Sequence, residues 1–298
     1  MPQDLNSRFA IPGLRFEYGK GGLIRAVVDT PTARGELFLQ GAHVTQWTPV
    51  GQQPVLWMSG ASHFEKGKPI RGGVPICFPW FGPSIHDPSA PAHGFARLAE
   101  WQITSARAKI DGAIELNLQT TIEPFSLNYQ VAFGRELKLT LTTQLNKNAT
   151  SPLTYEDALH TYLLVSDVRS ISISGLESTS YLDKVDGATM KPAAAKAIEF
   201  TSETDRVYMD TIVDCVLTDS NMKRTIRVAK SGSSSTVVWN PWIDKSKRMA
   251  DFGDDEWPSM VCIETANVAS NRIEIAPGES HATSSILSVA EMKACGTL

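Results

Sequence analysis

Polar and apolar residues alternate with period two along most of this 298-residue chain. Ala113-Ile-Glu-Leu-Asn-Leu-Gln-Thr-Thr121, Leu127-Asn-Tyr-Gln-Val-Ala-Phe133 and Glu136-Leu-Lys-Leu-Thr-Leu-Thr-Thr-Gln-Leu145 follow one another at turn-length intervals. Side chains of a strand point alternately to its two faces, whereas a helix repeats every 3.6 residues, so the pattern commits this region to strands. Thr, Gln and Lys on the second face mark antiparallel strands with only one side packed. Asp111-Gly112, Gly134 and Gln40-Gly41-Ala42 supply the turn chemistry between neighbours.

The same reading predicts strands over 23–29, 35–40, 43–47 and 101–105, and a long strand over 153–165. Shorter ones follow at 170–174, 198–200, 206–209, 213–218, 225–228, 236–239, 260–264, 272–275 and 284–289. Residues 193–197 have helical propensity but are too few to hold a helix. No composition shift marks a linker and no repeat is visible. The expected fold is all-β: a large antiparallel β-sandwich with very little helix, in a single domain spanning 1–298.

A hydrophobic fraction of 42% suits a large core, and the net charge of −4 argues against a nucleic-acid binder working through a broad basic surface. With that charge, an anionic ligand would have to be held by local cations. The first residues lack a basic segment followed by an apolar core, and no run of about 18 apolar residues exists, so neither a signal peptide nor a membrane span is expected. Cys77, Cys215, Cys262 and Cys295 are widely separated and read as reduced thiols rather than a disulfide framework or zinc site. A cytoplasmic monomer is the expectation, with a small molecule as its only partner.

One stretch breaks the alternation. Lys68-Pro-Ile-Arg-Gly-Gly-Val-Pro-Ile-Cys-Phe-Pro-Trp-Phe-Gly-Pro83, with Ala92-His-Gly-Phe-Ala-Arg97 behind it, is too rich in Pro and Gly for a helix or a central strand. Ordered irregular backbone over a rigid scaffold often carries function. Arg71 and Arg97 there read as an anion clamp or as solvated loop residues, and His93 as a ligand contact or a turn cap. Phe78, Trp80, Trp239 and Trp242 read as core, or as rings that stack on a sugar. The acidic run from Asp251 to Glu256 reads as a solvated loop, with a metal site as the alternative.

Phosphate-loop and Gly-x-Ser-x-Gly patterns are missing, and the six histidines show no metal-ligand spacing. Two titratable residues stand isolated in apolar strands. His160 alone reads as a hydrogen-bonded core histidine, and Glu264 as a strand end facing water. An unpaired buried carboxylate is costly, however, and a buried Glu with a buried His would form a general acid and base.

Five motifs occur in series: Arg71-Gly-Gly-Val-Pro-Ile-Cys-Phe-Pro-Trp-Phe-Gly82, His93-Gly-Phe-Ala-Arg97, Glu203-Thr-Asp-Arg-Val-Tyr208, Val238-Trp-Asn-Pro-Trp242 and Cys262-Ile-Glu-Thr-Ala-Asn-Val268. Together, from about residue 35 to 277, the chain resembles the glucose-6-phosphate 1-epimerases of the aldose 1-epimerase superfamily. The resemblance implies a galactose-mutarotase-like β-supersandwich that interconverts the α and β anomers of a hexose 6-phosphate without metal or cofactor. Position by position it implies His160 and Glu264 as catalytic residues, Arg71, Arg97 and Asp205 as substrate-binding, and His93 as the loop histidine of the wider superfamily. Ala92 departs from the pattern, standing where some members have Gln. Two alternatives stay open: an epimerase of free hexoses such as galactose, and a non-catalytic carbohydrate-binding protein.

Overall fold

A computed structural model describes residues 1–292, and strands dominate it as the alternation requires. Cys295 lies outside the described residues. Of two eight-stranded antiparallel sheets, the larger, by the length of its strands, runs in the order Ile171–Ser174, Cys215–Asp219, Arg224–Ser231, Ser280–Glu291, Leu137–Leu145, Phe125–Phe133, Ile114–Ile122 and Gln102–Ala108. The alternating sequences sit here as expected. Leu137, Leu139, Leu141 and Leu145 are buried, and the Lys and Gln between them face outward.

A second sheet carries the site. Thr204–Tyr208, Ser235–Asn240, Met260–Asn267, Asp157–Leu159 and Ile76–Cys77 lie side by side, and Tyr162–Leu164 also pairs with Met260–Asn267. Every residue of Ser235–Asn240 and Met260–Asn267 is buried, which explains why these strands read as nearly continuous apolar runs. A third, four-stranded sheet contains Leu14–Tyr18, Ile24–Asp29, Ala33–Phe38 and His43–Pro49. One hydrophobic core takes side chains from all three sheets, among them Val28, Val44, Leu116, Ile226, Val238 and Ile263. The Trp47 indole, donating to the Gly134 carbonyl at 3.0 Å, ties the four-stranded sheet to the larger one.

Several elements differ from expectation. The long strand over 153–165 is three short ones, Leu153–Tyr155, Asp157–Leu159 and Tyr162–Leu164, because its backbone changes partners along its length. The first pairs with Ile273–Ile275, and the others pair with opposite ends of Met260–Asn267. Between them, the Glu156 and His160 amides donate to Pro79 and Pro75 of the Pro/Gly-rich loop. Residues 198–200 form no strand; Ile198 makes only an isolated bridge to Ile173. The strand Leu14–Tyr18, the helix Pro2–Arg8 and the hairpin Tyr181–Asp183/Thr189–Lys191 were not foreseen. No helix among the described residues is long and apolar enough to cross a membrane.

Candidate active site

Strand register assembles the site. Asp205 is aligned with Trp239, Trp239 with Cys262 and Cys262 with Tyr162, so these residues form one row across the sheet. Glu264, two residues beyond Cys262, shares that face and aligns with Val237. His160 occupies the gap between the two short strands where the ladder is interrupted. Its ring stacks on Tyr162 at 4.6 Å and meets Trp239 edge-on at 5.9 Å.

Above this face the Pro/Gly-rich loop forms a wall. Arg71, Phe81, Gly82, Pro83, Ala92 and His93 close a cavity of about 200 Å³ over His160, Asp205, Val237, Trp239 and Glu264, with Lys184, Lys245 and Met249 at its edge. The volume is small beside the ~300–1,000 Å³ of pockets for drug-sized ligands, and it limits the occupant to something like a monosaccharide. A larger depression of about 840 Å³ lies on the outer face of the large sheet, lined mostly by amides and hydroxyls with no acid–base pair. The buried titratable residues line the smaller cavity.

His160 Nδ1 is 3.3 Å from Glu264 Oε1, and both side chains are buried. Neither His160 Nδ1 nor Glu264 Oε2 has a hydrogen-bond partner among the described residues. Orphaned polar atoms at such depth are rare, and the two side chains that carry them line the cavity. Burial, with Asp205 adding to it, pushes the Glu264 carboxyl well above the usual carboxylate range, against the opposing charge of Lys184. Burial, then His93, Arg71 and Arg97, holds the His160 imidazole well below its ordinary range. Thus the protein alone favours a neutral pair with its proton on Glu264.

The loop residues are fixed from behind. His93 adopts a left-handed backbone with φ 62°, and its Nδ1 accepts from the Gly82 amide at 3.2 Å, which places the neutral ring's proton on Nε2. Its ring lies 5.7 Å from that of His160. Arg71 grips Asp251 with Nε and Nη2 at 3.1–3.2 Å and donates to the Tyr162 hydroxyl at 2.9 Å. Arg97 is buried and does not line the cavity; its Nη2 donates to the Ala92 carbonyl at 2.6 Å. The structure therefore brings Arg71, His93, His160, Asp205 and Glu264 around one cavity and sets Arg97 behind its wall. The expected pair of free arginine forks is not found, because Arg71 is already paired and Arg97 is turned to backbone.

Other readings also change. Asp251 is the half-buried partner of Arg71, and Glu256 accepts from Ser59 Oγ and the Gly60 and Gly253 amides, so the acidic run braces the loop beside the cavity. Trp239 lines the cavity, while Phe78 belongs to the core. Lys184 and Lys245 were missed. Lys245 pairs with Glu203 at 2.9 Å and Asp205 at 3.5 Å. Lys184 sits in an unforeseen hairpin, although Asp186-Gly187 is a turn signal that could have revealed it. Ligand atoms of His160, Cys262 and Glu264 converge within 4.8 Å, a grouping that could surround a metal ion. The Cys262 thiol, pushed far up by burial, is in its protonated form, which is a poor ligand.

The aldose 1-epimerase family profile matches residues 29–288. A protein of Escherichia coli (strain K12), provisionally named glucose-6-phosphate 1-epimerase, is 36% identical over 248 residues, covering 80% of this chain and 82% of that one. A protein of Cenchrus ciliaris with the same provisional name is 36% identical over 259 residues, covering 82% and 78%. The crystal structure of a provisionally described mutarotase from Salmonella typhimurium superposes with a TM-score of 0.86 at 29% identity, covering 97% of this chain and 99% of that one.

Proposed function

Because the chain belongs to the aldose 1-epimerase family, we propose that it interconverts the α and β anomers of D-glucose 6-phosphate and related hexose 6-phosphates, with His160 and Glu264 as the acid–base pair. The observation that carries the assignment is the 3.3 Å contact between these two buried groups, which both line a monosaccharide-sized cavity. The relatives' provisional names supply the phosphate.

The reaction needs two proton transfers. Glu264 as carboxylate takes the proton of the C1 hydroxyl, whose oxygen lone pair forms the aldehyde carbonyl. The C1–O5 bond breaks, and its electron pair accepts a proton from the His160 imidazolium. Rotation about C1–C2 presents the other face of the aldehyde. Glu264 then returns its proton to the carbonyl oxygen while His160 takes back the O5 proton, closing the opposite anomer. The pair carries one proton throughout. Its neutral form, the one burial favours, is the form left after ring opening, so desolvation favours the open-chain side of the step. From the neutral pair, the scheme first moves the proton from Glu264 to His160, and the ring then opens.

Each positioned acid or base typically contributes about 10²–10⁴-fold, and holding the sugar beside both adds orientation, so no cofactor enters this scheme. Trp239 and Tyr162 support the ring of His160, and Asp205, Arg71 and His93 offer the sugar hydroxyls their hydrogen-bond partners. Arg97 braces the wall through the Ala92 carbonyl.

Glu264→Gln keeps the shape and removes the transferable proton. Anomer exchange on glucose 6-phosphate should fall by about 10²–10⁴-fold while calorimetric binding persists. A fully active Gln variant would remove Glu264 from the mechanism.

A further inference from the structure

Four cations stand in or beside the cavity, and three are engaged. Arg71 is paired with Asp251, Arg97 is turned to the Ala92 carbonyl, and Lys245 lies between Glu203 and Asp205. Lys184 is different. Among the described residues no carboxylate lies within ion-pair distance of it, and its ammonium rests over the Phe81 ring, 5.1 Å from the centroid. Its side chain is exposed at the cavity edge.

Its backbone is anchored. The Lys184 amide donates to the Asp205 carbonyl at 2.8 Å, and the preceding strand Tyr181–Asp183 pairs with Thr204–Tyr208. Hence the ammonium works from a stem fixed to the site's own sheet. It reaches across to the opposite wall: a Cβ built on Gly82 would lie 3.8 Å from Nζ.

We propose that Lys184 is the residue that takes the 6-phosphate and sets the preference for a phosphorylated sugar. The proposal rests on the hexose 6-phosphate reading above and assigns its phosphate to a group neither the motifs nor the arginine pair indicated. The sugar's bonding keeps the phosphate near His160. If His160 serves O5, the phosphorus is about four bonds from that oxygen, through C5, C6 and O6, and so within reach of groups beside His160. There Phe81 stands, its ring 6.5 Å from that of His160 and 4.9 Å from that of His93, with the Lys184 ammonium over it. A phosphomonoester carries close to two negative charges near neutral pH, and an ammonium without an internal carboxylate partner has no competitor to release before meeting it. In a chain of net charge −4, such a local cation is what an anionic sugar requires.

The test uses the full-length protein and its Lys184→Ala and Lys184→Arg variants, assayed on glucose 6-phosphate and on free glucose. In Lys184→Ala the ratio of kcat/KM for glucose 6-phosphate to that for glucose should fall about tenfold, through KM for the phosphate sugar, the scale of one charge-assisted hydrogen bond. Lys184→Arg should restore most of the ratio. Inorganic phosphate should compete with glucose 6-phosphate in the wild type and about tenfold more weakly in Lys184→Ala. A wild-type preference for the phosphate sugar that survives in Lys184→Ala overturns this assignment while leaving the hexose 6-phosphate reading intact. A wild type with equal kcat/KM on both sugars overturns that reading and this assignment with it.

Discussion

The Glu264 carboxyl and the His160 imidazole lie 3.3 Å apart where burial opposes charge on either one. Desolvation raises the acid and lowers the base, so the pair holds a single proton over a wide span of pH. The consequence for activity has a definite sign. Activity is lost on acidification only when a second proton enters, and the site for it is the depressed His160. The acid limb of kcat should therefore lie below the ordinary histidine value of 6.5, with kcat flat as the pH falls from 7.5 to 6.5. A limb with its midpoint at or above 6.5 would contradict the burial argument. At this scale the sequence was informative in one direction only. A lone His and a lone Glu inside apolar strands announce a cost that something must justify, which made both legible. Lys184, Asp251 and Tyr162 announce nothing, because their importance arises from partners or neighbours far away in the chain. At Glu264, burial and Asp205 outweigh the charge of Lys184.

Among the elements, the Pro/Gly-rich loop is an ordered wall rather than a flexible cover. Gly73 shows why its sequence is so restricted. It sits at φ 62°, its amide donates to the Trp57 carbonyl at 2.7 Å, and its carbonyl accepts from the Tyr162 amide at 2.9 Å. A Cβ there would lie 2.1 Å from the Val44 carbonyl oxygen, which already accepts from Val74. Gly73→Ala should therefore cost roughly 2–4 kcal/mol, from left-handed backbone and overpacking together, and should raise KM by displacing Arg71. Denaturant unfolding followed by circular dichroism checks the first effect, and steady-state kinetics the second; a variant of wild-type stability would contradict the close approach. The sequence exposed this loop through composition, and the large sheet through clean alternation. It misled over 153–165, where a run of strand-forming residues hides two changes of partner, and those breaks are what free His160 to enter the cavity. Period-two pattern reports faces, and partner changes are tertiary.

For the whole molecule, the large sheet serves as scaffold and the buried second sheet as the site's floor. Both feed one core, so the floor is held from beneath by Val238 and Ile263 while its upper face stays available to ligand. The all-β class was legible because nearly every strand obeys one period. The cavity was not, since it arises where the loop folds back over strands more than sixty positions later in the chain. With a net charge of −4, the hold on the proposed phosphate is a local matter of the pocket rather than of the molecular field. The measurement that tests the central claim most directly is anomer exchange by NMR on the purified protein, with glucose 6-phosphate, glucose and galactose side by side. The account predicts exchange broadening or magnetisation transfer between the anomers of glucose 6-phosphate, far stronger than for either free sugar. Exchange confined to the free sugars, or absent from all three, would contradict it.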